Sequence, residues 1–347
     1  MAKTSKKIIH AVDLFCGVGG LSWGLKVSGV NVVAGYDIDE SCRFAYEKNL
    51  AAKFFAKDIA SVTGAEIRAH YPKSGLRLLA GCAPCQPFSR HMRGVDTKED
   101  AKWGLLDEFS RLVEEVGPDL VTMENVTGLL RTDVFQRFTD KLKQLGYSYT
   151  YRSCHGPKFG LAQHRRRLVL MASRIGEIPP LPDTDSDGSV TVRHVIAGLP
   201  ALEAGQECGS DKLHKARALT EINLRRIRAS RPGGTWHDWP DELRAPCHTR
   251  DSGASFQSVY ARMSWDEPSP TITTQSYNFG TGRFGHPEQD RAITLREAAM
   301  LQGFPLSYQF MPKDESPHFL VIGKHIGNAV PPPLGEAVGR HFVKTFL

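Results

Sequence analysis

The feature that most constrains this chain is its alternation of short apolar runs with stretches of helical period, the runs ending in glycine or an acid. Residues 8–15 read as a buried strand, Cys16-Gly17-Val18-Gly19-Gly20 as a glycine turn, 21–27 as a helix and 31–36 as a second strand closed by Asp37. The pattern recurs: strands over 53–56, 76–80, 119–123, 147–152 and 168–172, with helices over 105–116 and 132–145. Strands alternating with helices form a sheet covered on both faces. The expected fold class is therefore α/β, a doubly wound, mostly parallel sheet. Sheets of this kind bind ligands outside the carboxyl ends of their strands, so the residues at those ends carry the functional question.

Three strand ends stand out. Gly17, Gly19 and Gly20 let a ligand approach the backbone, and Asp37, 20 residues after Gly17, is placed to accept from ribose hydroxyls. A dinucleotide fingerprint would want a third glycine where Ser22 stands, and a purely structural tight turn fits as well. Asp58, followed by Ile59, suits the exocyclic amine of an adenine; a helix N-cap is the competing reading. The third end, Gly81-Cys82-Ala83-Pro84-Cys85-Gln86-Pro87-Phe88-Ser89, sets a thiol between two prolines that stiffen the loop. Its C-x-x-C lacks the second ligand pair of a zinc site and the setting of a redox pair. A nucleophilic Cys85 at a helix start fits better, against the alternative of a buried inert thiol.

Residues 90–102 are charged and aperiodic, with the composition of a lid. Gln163-His164-Arg165-Arg166-Arg167 leads into a strand, and alternation predicts Arg165 and Arg167 on one face. A Pro- and Asp-rich stretch, 178–188, reads as a linker, beyond which the α/β alternation lapses. We expect a catalytic domain of residues 1–190 plus 322–347 and a smaller domain with its hinge over 191–321. Thr294-Leu295-Arg296-Glu297 matches a capping box.

Charge sharpens the second domain. Between Lys212 and Arg231 lie seven Lys or Arg and one acid, Glu221, a balance of +6 that equals that of the whole chain. Such a segment is either a phosphate-contacting surface or a solvated helix face. Seven cysteines without framework spacing predict free thiols. No run approaches the length of a membrane helix, and residues 1–7 are polar and basic without an apolar signal core, so the expectation is a cytoplasmic protein.

Taken jointly, Pro84-Cys85-Gln86, Glu124-Asn125-Val126, Gln163 through Arg167 and Gly327-Asn328-Ala329-Val330 resemble the cytosine-5 DNA methyltransferase family, in that family's order. Asp13 through Gly20 is similar to its cofactor motif and residues 291–305 to its penultimate motif; 10–175 and 265–340 carry the likeness. The resemblance implies methyl transfer from S-adenosylmethionine, leaving S-adenosylhomocysteine, to C5 of a flipped-out cytosine in a short sequence of double-stranded DNA. It implies Cys85 as the nucleophile, Glu124 as the acid at N3, Arg165 on the pyrimidine O2 with Arg167 in support, and Gln163 and Asn125 in the same site. Phe15, Gly17, Gly19, Gly20, Asp37, Ile38, Asp58, Ile59, Pro84, Leu106 and Asn328 are implied around the cofactor, and no metal. Ser89, Arg225, Arg226, Arg228, Arg250 and Thr273 are the expected DNA contacts, with Arg244 and Arg262 also aimed at phosphates or base edges. Cys82 is left without a role. A prokaryotic, nucleoid-associated monomer is expected, with a separate restriction endonuclease as companion. The rivals are a tRNA methyltransferase of the same family and a DNA-binding homologue without catalysis.

Overall fold

The computed structural model describes residues 8–84, 104–184, 190–246, 248, 250 and 259–347. The chain divides into two compact units. The first comprises Met1–Phe159, Arg166–Asp185 and Val330–Leu347; the second comprises Gly160–Arg165 and Ser186–Ala329.

The first unit is built on a seven-stranded sheet: β1 (Ile9–Leu14), β2 (Asn31–Asp37), β3 (Lys53–Ala56), β4 (Leu76–Gly81), β5 (Leu120–Asn125), β6 (Ser148–His155) and β7 (Arg166–Ser173). Their order is β3-β2-β1-β4-β5-β7-β6. Strands β1 to β5 pair in parallel, and β7 runs antiparallel to both β5 and β6. Every residue of β1 and of β5 is buried. Strands covered on both faces read as largely apolar runs, and the polar residues here, His10 and Asp13 on β1 and Thr122, Glu124 and Asn125 on β5, are buried with them. Strand order reverses between β1 and β4, the switch point at which open sheets of this class receive ligands.

Helices cover the sheet. Among them are α1 (Gly20–Val27), α2 (Arg43–Leu50), α3 (Gly64–Arg68), α4 (Gly104–Val116) and α5 (Asp133–Gln144). On α4 and α5 Phe109 stacks on Phe138, with ring centroids 5.6 Å apart, inside a core that includes Leu79, Val121, Met123 and Leu170. The C-terminal helix, Pro332–Phe346, returns to pack on α1. Their approach is close because it runs through glycine: a methyl at Gly24 would strike the backbone of Pro332 and Glu336, and one at Gly335 that of Leu21.

The second unit has little regular structure. It holds α6 (Val192–Ile196), a two-stranded pair β8 (Glu207–Cys208) and β9 (Asp211–Lys215), α7 (Glu221–Ala229) and the helices Leu295–Leu301 and Phe319–Asn328. The expected capping box forms: Thr294 Oγ1 accepts from Glu297 N–H, and the Glu297 carboxylate from Thr294 N–H. Trp236, Trp239, Leu243, Ile227 and Phe279 make a small core of their own. Around it, irregular backbone leaves carbonyls that no ladder satisfies, and buried arginines take them up. Arg262, 5% exposed, donates to the carbonyls of Ile227, Ser230, His286 and Gln289 and pairs with Asp290. That corrects the expectation that Arg262 meets DNA.

Candidate active site

At the carboxyl end of β1 the chain turns through left-handed backbone at Phe15, Gly17 and Gly19, with φ of 58°, 50° and 87°. Glycine meets that demand without strain at two of the three positions. Asp37, ending β2, braces the turn: Oδ2 accepts from Gly17 N–H at 2.8 Å and Oδ1 from Asp39 N–H at 2.9 Å. The residue that breaks the dinucleotide fingerprint also has a structural task. Ser22 is fully buried on α1, donates to Asp13 Oδ2 at 2.6 Å and lies 3.0 Å from the Tyr46 hydroxyl. Asp13 is buried too, and burial pushes its carboxyl up to about 7 against the opposing pull of the Ser22 bond.

The other expected cofactor residues of this unit divide by exposure. Ile38 stands 73% exposed directly after Asp37, whereas Ile59 and Leu106 are buried in the core. Asp58 is exposed and caps the short 3-10 turn Ile59–Ser61, its side chain accepting from Ala60 N–H at 3.0 Å. The N-cap reading thus holds for Asp58, and an exposed capping carboxylate keeps acceptor capacity for a ligand. Phe15 and Gly17 are half-buried, Gly19 and Gly20 buried, and Pro84 exposed.

Across the switch point the ends of β4 and β5 meet. Glu124, 5% exposed, closes β5 with its carboxylate between two side chains: Cys82 Sγ donates to Oε2 at 3.0 Å, and Arg167 Nε stands 3.0 Å from Oε1. The Arg167 contact is an ion pair without hydrogen-bond alignment, so Oε1 keeps its acceptor capacity among the described residues. Asn125 donates through Nδ2 to Ala83 O at 3.1 Å and accepts from Val126 N–H at 2.8 Å. It thereby holds the backbone immediately before Pro84. Cys85, Ser89 and residues 90–102 lie outside the described residues.

β7 begins at Arg166, so Arg165 precedes the strand and Arg167 lies within it. Alternation cannot govern a residue that precedes the strand. Arg165 belongs to the second unit, is 4% exposed, and donates to the carbonyls of Ile272, Gly327 and Ala329 at 3.2 to 3.4 Å. Gln163, fully buried, accepts from Ile272 N–H and donates to Leu301 O and Gln302 Oε1. Together they clamp three distant segments of that unit. Asn328 is exposed at the end of its helix.

Residues 9–344 match the family described as C-5 cytosine-specific DNA methylase. The chain belongs to that family. Among its relatives, the Type II methylase M.HgiDII of Herpetosiphon aurantiacus is 49% identical over 97% of this chain and 95% of its own length. The Type II methyltransferase M1.BsuMI of Bacillus subtilis is 31% identical over 96% of this chain and 80% of its own. In fold, the chain is similar to the S. pombe Dnmt2 methyltransferase, with a TM-score of 0.64 at 16% identity, covering 99% of this chain and all of that one. This C-5 cytosine methylase is accordingly a DNA (cytosine-5)-methyltransferase with the mostly parallel sheet expected of it. Among the described residues no helix is long and apolar enough to cross a membrane.

The residues expected to contact DNA part company. Arg225 on α7 and Arg250 are exposed, as is Thr273. Arg226 turns inward instead, donating to Leu243 O at 2.8 Å and lying over the rings of Trp239 and Tyr260. Arg228 pairs with Asp290, and Arg244 with Asp241. Of the seven basic residues from Lys212 to Arg231, six have partners within the unit, Lys212, Lys215, Arg217 and Arg231 joining Arg226 and Arg228. Reading the residues singly missed Cys82 as a partner of Glu124. The signal for it lay in strand order: parallel neighbours β4 and β5 bring the residue after Gly81 beside the residue after Met123.

Proposed function

We propose that this methylase transfers a methyl group from S-adenosylmethionine to C5 of a cytosine flipped out of a short target sequence in double-stranded DNA. The buried Glu124 carboxylate, held at the end of β5 beside the chain segment that leads to Cys85, carries the reading. Carbon 5 of cytosine is a poor nucleophile. Addition of the Cys85 thiolate to C6 forms an S–C bond and moves electron density to C5 and the N3 edge, where the Glu124 acid supplies or shares a proton. Once C5 carries the methyl group, loss of the C5 proton to a base and expulsion of the thiolate restore the aromatic ring and free the enzyme.

The residues present suit S-adenosylmethionine. The left-handed glycine turn admits close approach to backbone, and Asp37 and Asp58 lie at successive strand ends for ribose and adenine, with exposed Ile38 for the adenine face. When bound, that sulfonium supplies an electrophilic methyl group. The cofactor has no phosphate, so the turn serves packing and not anion binding. We assign the O2 contact to Arg167, which already stands against Glu124, since Arg165 is engaged with three carbonyls. The first unit is read as catalytic and the second as the target-recognition part, with flipping offset by contacts that a duplex-bound base cannot make. By likeness to the Type II relatives, the enzyme would protect DNA against a separate endonuclease in a prokaryotic cytoplasm.

The test is transfer of labelled methyl groups to duplex DNA and to tRNA. Label should enter DNA, and Cys85→Ser should lower the rate by at least ~10³-fold while cofactor binding persists. Label confined to tRNA, or full activity of the serine variant, would refute the reading.

A further inference from the structure

The carboxylate of Glu124 is a three-torsion side chain that must present one oxygen to a substrate. Arg167 approaches Oε1 as an ion pair without hydrogen-bond alignment, which attracts the group but leaves its last torsion loosely set. Orientation therefore depends on the other oxygen. Oε2 accepts from the Cys82 thiol at 3.0 Å. The two residues stand side by side because β4 and β5 run parallel with Gly81 opposite Met123, Cys82 following Gly81 just past the end of β4 and Glu124 following Met123 on β5. Asn125, one position further on β5, donates to Ala83 O, one position beyond Cys82. Two consecutive residues from the end of β5 thus grip two consecutive residues of the segment that reaches Cys85 three positions after Cys82.

We infer that Cys82 is a positioning residue for methyl transfer: its thiol fixes the Glu124 carboxylate and couples it to the segment bearing Cys85. This rests on the role given to Glu124 above. Removal from water, then the neighbouring Glu124 charge, push the Cys82 thiol well above its ordinary range, so it stays protonated and acts as donor. The C-x-x-C spacing thereby gains a meaning that is neither metal nor redox. The first thiol orients the acid and the second attacks.

The test uses the full chain, S-adenosylmethionine with a labelled methyl group, and duplex DNA, with the single-turnover rate read at saturation. Cys82→Val fills the space without a donor, Cys82→Ala leaves space without a donor, and Cys82→Ser keeps a donor. Val and Ala should each lose about tenfold in rate with KM for DNA and cofactor unchanged, and Ser should stay within about threefold of wild type, the span expected for one hydrogen bond to a charged group. Adding Cys82→Val to Glu124→Gln should cost nothing further, because the thiol acts through the carboxylate. A Val variant at the wild-type rate, a Ser variant as slow as Val, or a loss confined to KM would overturn the inference. Calorimetric binding of S-adenosylhomocysteine checks that each variant is folded, and Ala replaces Val if Val is not. Should Glu124→Gln itself transfer at the wild-type rate, the role of Glu124 fails; should it be slow while Cys82→Val and Cys82→Ala are not, only the positioning role fails.

Discussion

The two units bury their interiors by different chemistry. In the first, ladder hydrogen bonds satisfy the backbone and the interior is apolar, with Val12, Leu14, Leu79 and Phe109 nearly inaccessible. In the second, guanidinium groups do for irregular backbone what a neighbouring strand does in the sheet. Arg291 is the extreme case: fully buried, it holds both oxygens of Glu297 at 2.8 Å, while Glu297 Oε2 also accepts from Thr294 N–H. Burial pushes the Glu297 carboxyl up, and Arg291 with its neighbours outweighs this to leave it below the usual range. A basic residue count in such a region overstates the charge it offers to a partner.

The largest effect that can break this comparison lies at Arg291. Arg291→Met should destabilise the second unit by ~3–5 kcal/mol, because it strands a buried carboxylate, and adding Glu297→Leu should recover much of the loss. Denaturant unfolding followed by tryptophan fluorescence reads it, three of the five tryptophans being Trp236, Trp239 and Trp265. If Arg291→Met costs under ~1 kcal/mol, buried arginine is not what holds this unit.

A smaller effect is a difference in sign with pH. Asp13 in the first unit has its carboxyl raised from 3.8 to about 7, by burial first. Its contribution is complete below pH 3.8 and is lost as pH rises through about 7. His286 in the second unit is lowered from 6.5 to about 4, again by burial first, with its Nδ1 accepting from Glu288 and Gln289 N–H. Its contribution is complete above pH 6.5 and is lost as pH falls through about 4. Asp13→Asn should therefore remove a fall in stability between pH 3.8 and about 7, and His286→Gln a rise between about 4 and 6.5, each on the order of 1–3 kcal/mol. Melting curves over roughly pH 4 to 8 check both signs; equal slopes in wild type and Asp13→Asn between pH 3.8 and about 7 would remove the buried acid from the account.

The smallest effect separates two adjacent arginines. Arg225→Ala should weaken DNA binding evenly across sequences and reduce the salt slope by about one, as loss of one phosphate contact does. Arg226→Ala should leave the slope unchanged and cost stability instead, through the lost bond to Leu243 O and the lost cover of Trp239 and Tyr260. The reverse pattern in a salt titration would mean that α7 presents its other face to DNA.

Much of the first unit was legible because buried parallel strands and amphipathic helices have fixed periods. The predicted strand over 31–36 and helix over 105–116 differ from β2 and α4 by a residue at one end. The glycine turn and Asp37 were legible for the same reason, since local backbone conformation is written into residue type. Arg165 and Arg167 show where this stops. Period 2 was applied across a strand start that the pattern does not mark, and two like residues went to different units.

By itself, then, the sequence determined the family, the fold class and the order of strand ends, all of which follow from local periodicity and a joint set of short motifs. Tertiary structure alone decided that Cys82 reaches Glu124, that Arg167 and not Arg165 pairs with it, and that Arg226 and Arg262 are consumed internally. The physical reason is that a side chain's partners depend on which strands and loops are neighbours. Neither residue type nor spacing carries that neighbourhood until the chain has folded.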